Sequence, residues 1–198
     1  MKQVNTARTV LDAATLLFSE LGYEGASVAE IAKLAGVASG TVIYQYKNKE
    51  NLLQVIAWEF FNNLLQRLRQ AKNGEKGRPA LVAFIKAFFA FVDENQAQSR
   101  VMLRHHMIFQ KELQRFPLAA DGFRALKVSI QELREILEPL AEQGADSGQT
   151  VEHILGGILA NLLGACWLAV STGTSLPDLE HETLGSILLR LEAVRLDN

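Results

Sequence analysis

The chain has 198 residues, of which 48% are apolar, and its 20 basic and 22 acidic side chains give a formal net charge of −2. This length predicts one domain, or a small domain joined to a larger one, with a core that needs no disulfide or metal. The single cysteine, Cys166, excludes an intramolecular disulfide and a cysteine-rich zinc module. The near-neutral charge excludes a protein that coats nucleic acid by bulk charge, but it allows binding through a local patch.

Apolar residues recur at helical period along the chain, and no strand alternation or hairpin signal interrupts the pattern. Glycine and capping residues predict the limits of three short helices and one long helix near the N-terminus. These signals are Gly22 at the end of the first helix, the capping box from Ser27 to Glu30, Gly36 at the end of the second, a third helix through Val42 to Tyr46, and Asn48 as the cap of a helix over 49–72. Further helices are predicted over 79–95, 99–115, 118–142, 149–172 and 178–195, so we expect an all-α chain of about nine helices.

The segment from Ile154 to Val170 is an almost unbroken apolar run and admits two interpretations. A transmembrane helix is disfavoured, because the run has only seventeen residues, Asn161 lies near its centre, and no lysine or arginine flanks it. A helix buried on most sides is favoured, and in so small a chain this predicts burial against a second subunit. Its small residues recur every fourth position, which lets a partner helix approach closely. They are Gly156, Ala160 and Gly164.

The region 27–46 predicts a helix-turn-helix, the unit that places a short helix in the major groove of DNA. Ala32 supplies a small residue where the two helices cross, and Gly36 tolerates the positive φ that the turn requires. Val37, Val42 and Tyr46 are spaced to anchor the second helix. The residues then expected to meet DNA are Ser27, Ser39, Thr41, Ile43, Tyr44, Gln45, Lys47 and Lys49.

The continuous stretch 9–53 resembles the N-terminal DNA-binding domain of TetR-type transcriptional repressors. The resemblance rests on the patterns LFxxxGY from Leu17, SVxxIAxxAGV from Ser27 and GTVxYxYKxKExLL from Gly40. It implies an all-helical homodimer with a recognition helix near 38–44 and a divergent ligand-binding domain. The predicted division is a DNA-binding domain over 1–53 and a helical ligand-binding and dimerisation domain over 54–198.

The chain departs from the family pattern at three positions of the recognition helix. Ser39 stands where the family usually has lysine, Ile43 where it usually has tyrosine, and Gln45 where it often has histidine. Residues 1–53 also contain five basic and five acidic side chains, so their formal charge is zero. Ile43 could touch a thymine methyl and Gln45 could pair with adenine, or both could face solvent or the adjoining helix. The alternative to a DNA-binding regulator is therefore a dimeric helical small-molecule-binding protein with weak or lost DNA recognition.

Aromatic and methionine side chains are frequent beyond residue 54, and most of them are expected to belong to the core. The residues predicted to line a cavity for an apolar or aromatic effector are Trp58, Phe61, Phe88, Met102, His106, Phe109 and Trp167. Three cations near the adjacent histidines could neutralise an anionic headgroup, but a solvated face is the favoured interpretation for Arg100, Arg104 and Lys111. The dimer interface is predicted as a four-helix bundle from 149–172 and 178–195 of each chain, through Gly156, Ala160, Gly164, Leu184, Ile187, Leu188 and Leu191.

The sequence contains no catalytic serine motif, phosphate-binding glycine loop or HExxH motif. The adjacent His105 and His106 point about 100° apart on a helix, so they cannot chelate one metal from one face. We therefore expect no cofactor or metal, and an enzyme is the weakest hypothesis. Without an apolar signal region, the chain is predicted to be a cytoplasmic homodimer that binds a palindromic operator in double-stranded DNA and is released by a small, largely apolar molecule.

Overall fold

The computed structural model describes the backbone over 6–112, 117–143 and 150–196, with side chains described there except at 105–112, 117–121, 123, 143 and 192–196. Within these ranges the chain forms nine helices and no strand, which confirms the all-α prediction. The helices are α1 (Thr6–Gly25), α2 (Val28–Ala35), α3 (Ser39–Tyr46), α4 (Lys49–Lys72), α5 (Gly77–Glu94), α6 (Gln96–Glu112), α7 (Pro117–Gln143), α8 (Val151–Thr172) and α9 (Leu176–Leu196). The predicted connector 144–148 lies outside the described residues.

The backbone shows why the predicted helix limits hold. Gly22 has φ 77° and ψ 168°, which interrupts the helical conformation inside α1 before the helix ends at Gly25. Gly36 adopts the left-handed conformation with φ 68° and ψ 32° and ends α2, as a helix C-terminus favours. The Oδ1 of Asn48 accepts a hydrogen bond from the Asn51 amide at 2.8 Å and so caps the start of α4.

The chain divides into two compact units that do not follow the order of the sequence. The first unit contains residues 1–62 and 95–124, so it combines α1, α2 and α3 with the start of α4, all of α6 and the start of α7. Within it, α1 packs against α2, α3 and α6, and α2 packs against α3. The predicted boundary at residue 53 stays a prediction.

The second unit contains residues 63–94 and 125–198. Helix α9 packs against α5 and α8 in this unit. Ion pairs join the end of α4 to α7, where Lys72 and Arg69 both bind the carboxylate of Glu132. Burial alone would raise the pKa of Glu132, but the hydrogen bonds and charges of Lys72 and Arg69 hold it below its ordinary value.

Helix α8 is long and apolar enough to cross a membrane by length and composition, and 28% of its apolar window is buried in the chain. The sequence predicts that α8 is buried on most sides, but the contacts of α8 within a single chain do not bury it to that extent. Leu155, Ile158 and Leu162 lie on the buried face, whereas Leu163 and Trp167 are 58% and 61% exposed. One face of α8 thus packs inside its own unit and the other is an apolar surface.

Candidate nucleic-acid interface

The start of α2 is fixed by a reciprocal cap between Ser27 and Glu30. The Glu30 amide donates to the Oγ of Ser27 at 3.2 Å, and the Ser27 amide donates to the Oε2 of Glu30 at 2.8 Å. Hydrogen bonding by the Ser27 hydroxyl and amide holds the pKa of Glu30 below its ordinary value. The predicted capping box is confirmed. The hydroxyl of Ser27 already bonds Glu30 in this cap, so a phosphate contact by Ser27 would have to share that hydroxyl with Glu30.

The turn between α2 and α3 is closed by backbone hydrogen bonds. The Val37 amide donates to the Ala32 carbonyl at 3.0 Å, and the Gly36 amide donates to the Lys33 carbonyl at 3.2 Å. Ala32 is buried at the crossing of the two helices, as the sequence predicts, and Val42 anchors α3 from a buried position. Because Val42 is buried on one side of α3, the opposite face of α3 is exposed.

The exposed face of α3 carries the side chains that are free to meet a DNA groove. Tyr44 is 89% exposed and Ile43 is 46% exposed, although apolar and aromatic side chains of this size are usually buried. Successive exposed positions are separated by one or three residues, which places them on one face of the helix. They are Ser39, Gly40, Ile43 and Tyr44, and the exposed Lys47 follows directly after the end of the helix. Gly40 was absent from the sequence-based set, although this spacing could have identified it.

Thr41 and Gln45 lie at the edge of this exposed face and are both half-buried. The Oε1 of Gln45 is buried, and no described residue donates a hydrogen bond to it. A glutamine that reads adenine must present both its amide oxygen and its amide nitrogen to the base. The predicted adenine contact by Gln45 would therefore require its side chain to turn outward on binding.

The end of α3 is tied to the start of α1. The hydroxyl of Tyr46 donates to the carbonyl oxygen of Ala7 at 2.7 Å, and burial raises the pKa of this phenol. Beside it, Arg8 binds Asp12 at 2.9 Å and Glu59 at 2.8 Å. Arg8 thus holds α1 and α4 together, so it adds little free positive charge for DNA.

Lys47 occupies an unusual backbone conformation between α3 and α4. Its φ of 67° and ψ of −52° lie in a region that side-chain-bearing residues rarely adopt. The Asn48 amide donates to the Tyr46 carbonyl at 2.8 Å, which closes a strained γ-turn around Lys47. The turn directs α4 away from α3 and leaves the Lys47 side chain exposed.

The ammonium group of Lys49 contacts the α1–α2 junction. It donates to the carbonyl oxygens of Tyr23 at 2.7 Å and Ala26 at 3.0 Å, and it lies 4.2 Å from the centroid of the Tyr23 ring. Three donors are available on an ammonium group, so these two bonds leave one for a phosphate. The structure gives Lys49 a role that its position in the sequence did not indicate, which is to hold the start of α4 against the end of α1.

The residues predicted to line an effector cavity have different environments. In the first unit, Met102 is buried, Phe61 is half-buried and Trp58 is 39% exposed. In the second unit, Phe88 is half-buried and contacts Phe89 edge to face, whereas Trp167 belongs to the exposed surface of α8. The side chains of His106 and Phe109 lie outside the described residues. The cavity stays a prediction, and so does the place of Trp167 in it.

The predicted dimer residues lie on α8 and α9 and differ in their exposure. Leu184 and Ile187 are buried within their own chain, so the stripe that they form on α9 serves the core of the second unit at these positions. Leu188 and Leu191 are half-buried on the same helix. The small residues Gly156, Ala160 and Gly164 are all exposed, on the same surface of α8 as Leu163 and Trp167.

Among the described residues, no group of three or more histidine, cysteine, aspartate or glutamate side chains could hold a metal ion. The thiol of Cys166 is buried in α8, and this burial raises its pKa to about 12. A thiol with so high a pKa is protonated at neutral pH and is a poor nucleophile.

Comparison with known proteins identifies the N-terminal helices. Residues 10–56 match the family model described as bacterial regulatory proteins, tetR family. The chain carries a TetR-type DNA-binding domain. This match confirms the family resemblance seen in the sequence and covers the exposed face of α3.

The TetR-type domain is accompanied by similarity over a larger part of the chain. The chain is 29% identical to the fatty acid metabolism regulator protein of Bacillus subtilis over 152 residues, which are 73% of this chain and 71% of that relative. It is 26% identical over 140 residues to the transcriptional repressor KstR2 of Rhodococcus jostii, with 70% of this chain and 65% of that relative covered. The structure of FadR from Bacillus subtilis in complex with stearoyl-CoA has a TM-score of 0.72 at 22% identity, covering 91% of this chain and 96% of that chain. The helices outside the TetR-type domain therefore share the fold of such regulators.

Proposed function

We propose that the chain is a ligand-responsive transcriptional repressor that binds a palindromic operator in double-stranded DNA. The observation that carries this proposal is the exposed face of α3, with Ile43 and Tyr44 presented on a TetR-type helix-turn-helix. A short helix with exposed apolar, aromatic and hydroxyl side chains suits the major groove, where base edges and thymine methyl groups are read. The similarity to a repressor such as KstR2 supports negative regulation.

DNA recognition can be tested with duplexes selected from a random pool by the intact chain. In mobility shifts with a selected duplex, Ile43→Ala is expected to lower affinity about fivefold, because a thymine methyl contact is lost, and to leave binding to random DNA unchanged. Leu34→Ala is the matched control, since Leu34 is a 51% exposed aliphatic side chain on α2. If Ile43→Ala weakens the selected and random duplexes equally, Ile43 does not read bases.

The repressor is proposed to act as a homodimer through the exposed surface of α8. Leu163 and Trp167 would otherwise leave a contiguous apolar patch in water, which monomeric proteins rarely tolerate. The row Gly156, Ala160 and Gly164 runs along that surface and allows a partner helix to approach closely. Two-fold symmetry also gives the two reading helices the relation that a palindrome requires.

Light scattering tests the dimer at micromolar concentration. Leu163→Glu is expected to give a monomeric mass, because it places a charge in the centre of the apolar surface. Leu16→Glu introduces the same change at a 42% exposed leucine on α1 and is expected to leave the dimer intact. A monomeric wild-type chain, or a dimeric Leu163→Glu variant, would contradict this interface.

The effector is proposed to be a small, largely apolar molecule bound by the helices beyond the DNA-binding domain. Support comes from their aromatic content and from the fold shared with FadR, which was solved with stearoyl-CoA. Helix α4 supplies residues to both units, so a ligand that shifts α4 could change the spacing of the two reading heads. A hundredfold loss of operator affinity would require about 2.7 kcal/mol of coupling.

Long-chain acyl thioesters and free fatty acids are the first probes for a thermal-shift screen. An effector should raise the melting temperature of the protein and also weaken its binding to the selected duplex. If probes that stabilise the protein leave operator binding unchanged, the induction mechanism is wrong and DNA binding stands.

The proposed role assigns no enzymatic step to the chain and places it in the cytoplasm with its DNA.

A second candidate function is a small-molecule-binding dimer with weak or lost DNA recognition. Ser39 and Ile43 stand where the family usually has lysine and tyrosine, so a positive charge and a hydrogen-bonding phenol are missing. Arg8 and Lys49 are already engaged inside the chain. This candidate predicts that selection from random duplexes yields no enriched sequence. An enriched palindrome would exclude it.

A further inference from the structure

The turn between α4 and α5 begins with the pair Asn73 and Gly74, which directly follows the end of α4. Both residues have a positive φ, 48° at Asn73 and 75° at Gly74, and both are exposed. Asparagine and glycine adopt this left-handed conformation more readily than other residue types, and both are found where helices end. The pair therefore ends α4 and turns the chain towards α5.

Two main-chain hydrogen bonds hold this turn, and neither of them uses the amide of Gly74. The Asn73 amide donates to the Arg69 carbonyl at 3.1 Å, and the Glu75 amide donates to the Lys72 carbonyl at 2.9 Å. Among the described residues, none bonds the main-chain amide of Gly74 or the side-chain amide of Asn73. An exposed side-chain carbonyl carbon and the main-chain nitrogen that follows it are thus both without partners.

Asparagines inside α4 lack this freedom. The Nδ2 of Asn62 donates to the Trp58 carbonyl at 2.8 Å. Asn63 is as exposed as Asn73 in class, but it lies in the interior of the helix and is followed by Leu64. In an α-helix the amide of each following residue donates to a carbonyl one turn earlier, and the main chain cannot rotate without breaking such bonds. Asn73 therefore differs from them in main-chain freedom and in having glycine as its next residue.

We propose that Asn73 is a site of spontaneous deamidation, in which the chain modifies itself with water as the co-reactant. The Gly74 amide nitrogen loses its proton to hydroxide and attacks the side-chain carbonyl carbon of Asn73, and the side-chain nitrogen leaves as ammonia. This bond closes a five-membered cyclic imide. Water then opens the imide at either of its carbonyl carbons and leaves an aspartate or an isoaspartate at position 73. One water is consumed and one ammonia is released, with no oxidation or reduction.

Gly74 favours this reaction because it has no side chain beside the attacking nitrogen. A Cβ atom added there would meet no atom within 4 Å, so the nitrogen is open to approach on that side. The attack requires rotation about the bond between the Cα and the carbonyl carbon of Asn73. Only the hydrogen bond from Glu75 to Lys72 spans this bond in the turn, so the rotation leaves α4 itself intact.

The product places a carboxylate at the C-terminal end of α4, where the helix already carries partial negative charge. Lys72 at this end binds Glu132 and Glu135 of α7, and Lys76 binds Glu138 at 3.7 Å. The new carboxylate competes for these cations, so we expect the modification to weaken the contact between α4 and α7. Neither the reaction nor this effect depends on DNA binding, so the modification goes beyond the proposed function.

Mass spectrometry of the intact chain, aged at physiological temperature and mildly alkaline pH in water enriched in heavy oxygen and then digested with trypsin, tests the modification. The peptide with Asn73 is expected to exchange its side-chain amino group for one heavy oxygen. This should occur at least about tenfold faster than at Asn63, which reacts only when α4 opens locally. Fragmentation should show isoaspartate beside aspartate, because direct hydrolysis of the side chain gives aspartate alone.

Two variants control for the chemistry of the attack. Asn73→Gln keeps a side-chain amide but requires a larger ring, so it is expected to stay unmodified over the same period. Gly74→Ala places a methyl group beside the attacking nitrogen and should slow the reaction. Modification of Asn73 no faster than that of Asn63, a product with aspartate alone, or an unchanged rate in Gly74→Ala would overturn the proposal.

The effect of the new charge is measured with Asn73→Asp, which keeps a residue type that tolerates the left-handed conformation. Its melting temperature is expected to be about 2 °C lower than that of the wild type at neutral pH and low salt, because the carboxylate lies at the negative end of α4. The difference should shrink at high salt. An unchanged melting temperature would overturn the expected weakening of the contact between α4 and α7, while the mass measurement would still decide the modification.

Discussion

Replacing Lys49 with methionine separates a structural role of this lysine from a DNA contact. The substitution keeps the length of the side chain and removes the ammonium that binds the Tyr23 and Ala26 carbonyls. A hydrogen bond from a charged donor contributes about 1.5–3 kcal/mol, and a cation–π contact at an exposed site about 0.5–1 kcal/mol. Because Lys49 is half-exposed and these contributions are not additive, we expect a loss of about 2 kcal/mol in the free energy of unfolding.

Urea denaturation followed by circular dichroism measures this loss, and salt titration of DNA binding measures phosphate contacts. Lys47→Met is the control, because the Lys47 side chain is exposed. Methionine and lysine are equally strained at the positive φ of this position, so the substitution does not change the strain of the turn. It should leave the unfolding midpoint unchanged and reduce the salt slope by about 0.9 per chain. If Lys49→Met leaves the unfolding midpoint unchanged and lowers the salt slope by that amount, the clamp between α1 and α4 has no energetic role.

Three further changes test local features of the fold. Lys47→Gly should be more stable than Lys47→Ala by about 0.5–2 kcal/mol in urea melts, because glycine relieves the strained turn at some cost in unfolded-state entropy; equal stability would mean that no strain is stored. Ser27→Ala should lower unfolding free energy by about 1 kcal/mol through loss of the cap, and an unchanged midpoint would contradict that. The lowered pKa of Glu132 means that this carboxylate stabilises the fold above its ordinary pKa of 4.5, and that the stabilisation is lost as the pH falls through the lowered pKa. Glu132→Gln should therefore make the melting temperature depend less on pH between neutral and acidic conditions. The same acid dependence in Glu132→Gln would show that Lys72 and Arg69 do not stabilise the fold through this carboxylate.

Sequence reasoning succeeded where structure depends on neighbouring residues. The capping box at Ser27 and the left-handed Gly36 are decided within one or two turns, so their residue types indicate the helix limits directly. The same kind of local signal predicted a short third helix through Val42 to Tyr46, whereas its role as a recognition helix came from the family resemblance. Even there, the strained turn at Lys47 was missed, because a lysine gives no sign of a positive φ.

Contacts between distant residues could not be obtained from the sequence. Lys49 binds carbonyls 26 and 23 residues away, and Arg104 binds carbonyls 85 and 84 residues away, and the sequence gives no sign that either cation contacts the main chain. Carbonyl groups exposed by a broken helix attract them, and the main-chain path of α1 decides that exposure.

The apolar stripes were recognised, but their partners were not. Periodicity shows which face of a helix is apolar and gives no information on what covers it. On α9 the stripe at Leu184 and Ile187 is covered by the chain itself, whereas on α8 the surface with Leu163 and Trp167 is left exposed. Trp167, which was predicted to line a cavity, is 61% exposed on the surface of α8 that we propose as the subunit interface.

We propose that the exposed face of α3 reads an operator as one half of a symmetric dimer. The most direct test is to select duplexes with the intact chain and to measure stoichiometry and affinity on the enriched sequence at physiological salt. We predict a palindrome bound by two chains at least about a thousandfold more tightly than random DNA, with half-sites spaced by whole helical turns. Binding of random and selected duplexes with equal affinity would show that α3 does not read an operator.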